Sequence, residues 1–177
     1  WDLPIYGTRG TLEGCRFAQP RALRLVPFAI GLPFSVSGFR LEAFAVPHDA
    51  REPVGLVVED GCNRRLGLIT DLGSFPERLD RTLGRLSVLV QETNHDLDML
   101  RSGPYPWALK KRVAGDKGHL SNDQAASGLA RVLCDELQFV VLYHLSRTNN
   151  RPTLAEASIG EELHRNGSEA RLLVAHQ

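Results

Sequence analysis

The chain has 177 residues, of which 42% are hydrophobic, so it is long enough to bury one substantial core. Its 21 lysines and arginines balance its 21 aspartates and glutamates, which excludes a global electrostatic attraction to nucleic acid. The longest apolar runs are too short to cross a bilayer, so we expect no membrane partner.

The cysteines are widely spaced and odd in number, at Cys15, Cys62 and Cys134. They form neither a CxxC metal motif nor an evident disulfide framework. The opening residues WDLPIYGT lack the basic and apolar segments of a signal peptide. Together these features predict a reducing, cytoplasmic environment.

The first half of the chain predicts a series of short strands, because apolar and β-branched runs alternate with glycine, proline and aspartate. The strands are expected at residues 4–8, 24–28, 40–46, 54–59 and 65–70. Asp60-Gly61 lies between the last two runs and predicts a hairpin there.

After Asp71 the pattern changes to alternating helices and strands. Helices are predicted at residues 76–86, 104–114, 121–137 and 153–165, and strands at 86–91, 139–143 and 170–175. Ser121 and Gln124 have the spacing of a capping box at the start of one helix. A strand meander followed by βαβ units predicts a single layered α/β domain over residues 1–177.

Polar residues, several of them histidine or aspartate, come directly after four of the predicted strands. They are His48 and Asp49, Asp71, the group Glu92, Asn94, His95 and Asp96, and finally His144. Residues just past strand ends face a common crevice in such sheets, and histidine and aspartate are ligands that zinc or manganese prefers. The alternative for each residue is a hydrogen-bonded surface histidine or an Asx turn.

Four segments resemble the metallo-β-lactamase superfamily: PHDAREPVGLVV, LGLITDLG, LVQETNHDLDMLRSGPYPWALKKRVAGDKGHLSN and VVLYHLSRTNNRP. The branch they are most similar to is the YycJ-type metallohydrolases, relatives of ribonuclease Z that are regarded as exonucleases. The resemblance runs over about residues 3–152. It implies an αββα sandwich with two divalent metal ions, zinc or manganese, at the rim of the sheet.

The resemblance also implies roles for single residues. His48 and His144 match metal-binding histidines, and Asp71 matches the aspartate that bridges the two metals and takes part in catalysis. His119 is similar to a catalytic histidine that contacts the scissile phosphate and assists proton transfer.

Further residues are expected to meet the substrate. Asn94 and His95 match a branch-specific block, with a substrate contact or a supporting contact as the alternatives, and Ser121 and Asn122 adjoin His119. Lys110 and Arg112 belong to a basic run that either holds a nucleic-acid backbone or forms a solvated helix face. Tyr105 and Trp107 are candidates for base stacking or for core packing.

The signature HxHxDH of the superfamily, which supplies most ligands of the first metal, is absent from this sequence. We therefore expect an N-terminally incomplete sandwich, corresponding to the C-terminal two-thirds of the domain, from a parent protein that holds two metals. This chain alone is expected to hold one or none.

The expected function of the parent protein is a metal-dependent exonuclease or phosphodiesterase that acts on DNA or RNA through a metal-activated water. Two alternatives stay open: hydrolysis of a small phosphodiester or thioester, and a non-catalytic fragment that needs its missing part. Homodimerisation is likewise left open.

Overall fold

The computed structural model describes residues 3–15 and 24–175. The strands within them are β1 (Ile5–Thr8), β2 (Leu25–Phe28), β3 (Phe34–Val36), β4 (Phe39–Ala45), β5 (Val54–Glu59), β6 (Arg65–Ile69), β7 (Val88–Glu92), β8 (Phe139–Tyr143) and β9 (Arg171–Val174). The helices are α1 (Arg9–Cys15), α2 (Arg78–Thr82), α3 (Leu97–Ser102), α4 (Trp107–Val113), α5 (Asn122–Ala130) and α6 (Pro152–Arg165).

Seven strands form one mixed sheet in the order β3-β4-β5-β6-β7-β8-β9. The pairs from β3 to β6 are antiparallel and the pairs from β6 to β9 are parallel, which confirms the predicted meander followed by βαβ units. Strands β1 and β2 form a separate parallel pair. The described residues therefore form one seven-stranded sheet and this short pair.

The core lies where the central parallel strands meet helices α2, α5 and α6. Its buried side chains include Leu89 of β7, Val140 of β8, Leu129 of α5 and Ile159 of α6, all with no exposed surface. Buried and partly exposed residues alternate along β6, β7 and β8, so one face of these strands packs against the helices more fully than the other. No helix in residues 3–15 and 24–175 is both long and apolar enough to cross a membrane.

Local sequence signals explain the helices that lead to and from the site. The Ser121 side chain accepts from Gln124 N at 3.2 Å, and the Gln124 side chain accepts from Ser121 N at 2.9 Å, so the predicted capping box is confirmed. Helix α5 ends at Ala130 rather than at the predicted residue 137. The backbone changes there to i→i+3 hydrogen bonds, such as Val132 N to Leu129 O at 2.9 Å.

Three short elements were not predicted from the sequence: α1, β3 and α3. Helix α3 begins after Asp96, whose side chain accepts from Met99 N at 2.8 Å and so acts as an N-cap. Each of the three has seven residues or fewer, which is too short to show a clear apolar period.

The loop after β6 packs tightly against the loop that joins α4 to α5. Gly73 N donates to Pro47 O at 2.9 Å, and a Cβ at Gly73 would lie 2.2 Å from Gly115 O and 2.4 Å from Gly118 N. Those contacts are with backbone atoms, which cannot rotate away. A side chain at residue 73 would therefore push the two loops apart.

We expect Gly73→Ala to lower the free energy of unfolding by about 1–3 kcal/mol, as overpacked sites do. Urea unfolding measures the change. Gly61→Ala is the matched control, since a Cβ at Gly61 in the β5–β6 hairpin meets no atom within 4 Å, and its change should stay within about 0.5 kcal/mol. Equal effects of the two substitutions would contradict the tight packing of these loops.

Candidate metal centre

The carboxyl ends of four strands meet at one edge of the large sheet. Strands β6, β7 and β8 are parallel neighbours, and β4 runs in the same direction because both β4 and β6 are antiparallel to β5. The residues delivered to this edge are His48 after β4, Asp71 after β6, Glu92 at the end of β7 and His144 after β8. The common crevice inferred from the sequence is thus present in the structure.

The carboxylate of Asp71 lies among three imidazoles. Its Oδ1 is 3.6 Å from His144 Nδ1, 3.8 Å from His48 Nε2 and 3.9 Å from His119 Nδ1. His119 comes from the loop before α5 rather than from a strand end. The Asp71 side chain is 44% exposed, so its carboxylate faces the solvent-filled cleft.

This cleft has a volume of about 260 Å³. Its walls combine His48, Asp71, His119 and His144 with Asp49, Leu109, Arg112, Val113 and Gly118. His48 is oriented by its second ring nitrogen, Nδ1, which lies 3.0 Å from Gly118 O. That contact leaves His48 Nε2 directed toward Asp71.

Glu92 lies directly behind the cluster, and its side chain has no exposed surface. Oε1 accepts from His119 Nδ1 at 2.9 Å and from Leu120 N at 3.1 Å. Oε2 accepts from Asp71 N and lies 3.3 Å from His144 Nδ1. One buried carboxylate therefore holds three separate loops of the site.

The sequence places Glu92 among the strand-end residues but gave it no part in the site. The signal that would have identified it is a glutamate at the end of an otherwise buried strand, since glutamate is almost never fully buried unless it is paired.

The hydrogen bonds of Glu92 shift pKa values within this cluster. Burial acts to raise the pKa of the Glu92 carboxyl, but its hydrogen bonds to His119 and His144 outweigh burial and hold that pKa below its ordinary value. The hydrogen bond between Glu92 and His144 also raises the pKa of His144, against the opposing effect of its own burial. An ionised carboxylate only accepts hydrogen bonds, so both histidines carry a proton on Nδ1 and keep Nε2 for another partner.

Two residues of the cluster have left-handed backbone conformations that side chains other than glycine rarely adopt. These are Asp71, with φ of +55°, and His144, with φ of +57°. Such conformations cost about 1–3 kcal/mol each and persist only where the surroundings fix them. Here Asp71 N is bound by Glu92, and His144 O accepts from Asn94 Nδ2 at 2.9 Å.

The other expected substrate contacts occupy different positions. Asn94, His95, Ser121 and Asn122 are all buried. Asn94 N donates to Leu120 O at 3.1 Å, and Asn122 N donates to His95 O at 2.9 Å, so this segment pairs with the backbone next to His119. A ligand in the cleft cannot reach the side chains of Ser121 and Asn122, which instead support the loop of His119.

The two residues of α4 that were expected to hold nucleic acid, Lys110 and Arg112, lie in different places. Arg112 lines the cleft, and its Nε donates to Asp49 Oδ2 at 2.5 Å, which lowers the pKa of the Asp49 carboxyl. Lys110 does not line the cleft; its Nζ donates to Arg101 O at 2.6 Å at the end of α3. Of these two residues, only Arg112 is thus placed beside the cluster.

The donor set fits a divalent metal ion. Asp71, Glu92, His119 and His144 each offer a ligand atom, and these atoms lie within 4.8 Å of one another. Carboxylate oxygens and neutral imidazole nitrogens are the ligands of zinc and of manganese. Because Glu92 is enclosed by protein donors, we assign it the role of orienting the histidines rather than of binding the ion.

Comparison with known proteins now places the fold in a family. A sequence profile described as the Beta-lactamase superfamily domain matches residues 2–145. The chain belongs to the metallo-β-lactamase superfamily. The family resemblance seen in the sequence is thereby confirmed, and the superfamily is one whose fold binds divalent metals.

Two curated relatives are similar over most of this chain. Exodeoxyribonuclease YycJ of Bacillus anthracis is 35% identical over 173 residues, covering 94% of this chain and 64% of the relative. Exodeoxyribonuclease WalJ of Streptococcus pneumoniae serotype 2 (strain D39 / NCTC 7466) is 33% identical over 138 residues, covering 77% and 50% respectively. The chain therefore spans between half and two thirds of the length of these relatives.

Two solved structures share the fold. Zn(2+)-bound PqqB from Methylobacterium extorquens aligns with a TM-score of 0.68 at 22% identity, covering 99% of this chain and 61% of PqqB. The metallo-β-lactamase fold protein YhfI from Bacillus subtilis aligns with a TM-score of 0.68 at 14% identity, covering 97% and 61%. These likenesses establish the metallo-β-lactamase fold for the described residues.

The buried His95 gives the chain a pH dependence of stability. It has no exposed surface, its ring nitrogens contact no hydrogen-bond partner in the described part of the chain, and burial lowers its pKa to about 4. Between about pH 6.5 and pH 4 the unfolded chain therefore binds a proton at His95 that the folded chain does not. Its contribution to stability is present above pH 6.5 and falls as the pH drops.

The unmodified chain should lose unfolding free energy when the pH is lowered from 7 to 4.5. We expect His95→Leu to lose about 2 kcal/mol less over the same range. Urea unfolding of metal-free protein at the two pH values measures this difference. His164→Leu, which changes an exposed histidine of α6, is the control and should keep the original pH dependence. An unchanged pH dependence in His95→Leu would show that His95 is not held neutral in the fold.

Proposed function

We propose that the protein of which this chain is part is a metal-dependent exonuclease that hydrolyses phosphodiester bonds of DNA. The observation that carries the proposal is the Asp71 carboxylate surrounded by three histidines and backed by the buried Glu92. The 35% and 33% identical relatives named as exodeoxyribonucleases support the choice of substrate.

In this proposal Asp71, His48 and His144 hold divalent metal, with two zinc or manganese ions per complete protein. Bound divalent ions supply Lewis-acid polarisation of a phosphoryl oxygen and lower the pKa of water toward neutrality. Asp71 would supply a carboxylate ligand, since its Oδ1 lies within 3.9 Å of all three imidazoles.

His119 has a different task, because its Nδ1 is held by Glu92. Its Nε2 is left for the cleft, where it binds a phosphoryl oxygen of the substrate or passes a proton to the leaving group. Arg112 contributes positive charge at the cleft wall, although its pairing with Asp49 neutralises part of it.

The activity is tested with end-labelled DNA and the complete protein, supplied with manganese or zinc. We expect progressive release of nucleotides, loss of activity with a chelator, and a loss of at least about 100-fold in His144→Ala, because removal of a ligand disrupts the metal site. The matched control His164→Ala changes an exposed histidine of α6 and should retain full activity. Hydrolysis of bis(p-nitrophenyl) phosphate without any digestion of DNA would refute the nuclease assignment.

Glu92→Gln tests whether the buried carboxylate orients the histidines. The substitution keeps the side-chain volume but presents an amide donor to groups that all donate, so we expect metal affinity to fall about 10- to 100-fold. Metal competition with a chromogenic chelator measures the affinity. Glu136→Gln, on the exposed carboxylate that pairs with Arg85, is the control, and equal affinities in the two variants would contradict the orienting role.

A further inference from the structure

A second cavity adjoins the cleft of the metal centre. It has a volume of about 340 Å³ and shares His119, His144, Leu109 and Val113 with that cleft. A molecule in this cavity therefore lies beside the two histidines at the centre. The volume falls within the range of small-molecule sites in proteins, which begins at about 300 Å³.

One wall of the cavity is aromatic and aliphatic. Tyr105 is a half-buried residue between Pro104 and Pro106, and Leu109 and Leu145 lie on the same cavity. Pro106 restricts the backbone of Tyr105 to extended conformations, which limits the positions open to its side chain. Such a wall suits the flat face of a nucleobase.

Trp107 does not take this part, although the sequence makes it an equal candidate for stacking. Trp107 is 70% exposed, and Lys111 Nζ lies 5.2 Å from the centre of its ring. It is absent from the walls of both cavities at the metal centre. The structure thus separates the two aromatic residues by position.

Asn149 also borders the cavity. Asn149 is 1% exposed, and neither Nδ2 nor Oδ1 has a hydrogen-bond partner within the described residues. Its backbone is fixed, since Asn149 N donates to Ser146 Oγ at 3.0 Å and Asp96 N donates to Asn149 O at 2.9 Å. Both amide atoms are covered by protein, so Asn149 contributes a fixed loop to the cavity wall rather than a polar contact to a ligand.

Arg147 lies at the exposed side of the same cavity. It forms no ion pair with a carboxylate in the part of the chain that the structure describes, in contrast to Arg112, which is paired with Asp49. Its charge is therefore available to the next phosphate along a bound nucleic-acid strand.

We propose that this cavity binds the nucleoside next to the scissile phosphate, with its base on Tyr105 and the adjoining phosphate at Arg147. The inference rests on the proposed function and extends it, because it assigns residues that select a nucleotide over a simple phosphate ester. It makes Tyr105 a specificity-determining residue and Arg147 a contact to the nucleic-acid backbone.

The first test measures binding of deoxyadenosine monophosphate and of inorganic phosphate to the metal-loaded complete protein by calorimetry. We expect Tyr105→Leu to raise the ratio of the nucleotide dissociation constant to the phosphate dissociation constant about tenfold, because stacking on an aromatic ring is lost. Tyr105→Phe keeps the ring and should retain the original ratio. An unchanged ratio in Tyr105→Leu, or an equal loss in Tyr105→Phe, would overturn the stacking assignment.

The second test uses Arg147→Ala, a change at an exposed residue that leaves the core untouched, and a nuclease-resistant phosphorothioate oligonucleotide. We expect weaker binding and a slope of log affinity against log salt that is smaller by about 0.7, the value for one phosphate contact on a single strand. Arg81→Ala, at an exposed arginine of α2 that does not line the cavity, is the control. Equal slopes in the two variants would remove Arg147 from the site.

The outcomes separate this inference from the proposed function. Digestion of DNA with no effect of Tyr105→Leu on nucleotide binding would leave the nuclease intact and refute the nucleoside site. Selective binding of the nucleotide through Tyr105, without digestion of DNA, would sustain the site and refute the nuclease.

Discussion

The buried carboxylate of Glu92 is the constraint on which the rest of the site depends. Its two oxygens receive hydrogen bonds from the loops that follow β6 and β8 and from the loop before α5. These loops carry Asp71, His144 and His119, so a single side chain relates residues that are far apart in the sequence. Its ionised form is favoured despite burial because every neighbour donates to it, and the pKa is accordingly held low.

The same arrangement accounts for the strained backbone at the centre. Asp71 and His144 both adopt positive φ directly after a strand, which turns each side chain sharply into the cleft. The turn is unfavourable in isolation, but a rigid parallel sheet fixes where each strand ends and Glu92 and Asn94 bind the backbone there. A metal site needs ligands at fixed positions, and local strain is the cost of placing them.

In the proposed function, binding and chemistry are divided between two adjoining spaces. The cleft over Asp71 contains groups suited to a metal and a phosphoryl oxygen, whereas the adjoining cavity is lined by the ring of Tyr105. His119 and His144 form the boundary between them. One fold can accommodate many substrates, and the loops beyond the strand ends, such as those with Tyr105 and Arg147, are the parts able to discriminate among them.

The sequence by itself determined the order of the longer strands and helices, although not α1, β3 and α3. It also determined the family and the strand-end positions of His48, Asp71 and His144, because apolar periodicity and motif spacing are local properties. Only the tertiary structure decided that Glu92 joins these residues, and that Ser121 and Asn122 are buried away from the cleft. Burial and hydrogen bonding depend on which segments meet across the sheet. That pairing is set by packing between residues distant along the chain, which no local pattern encodes.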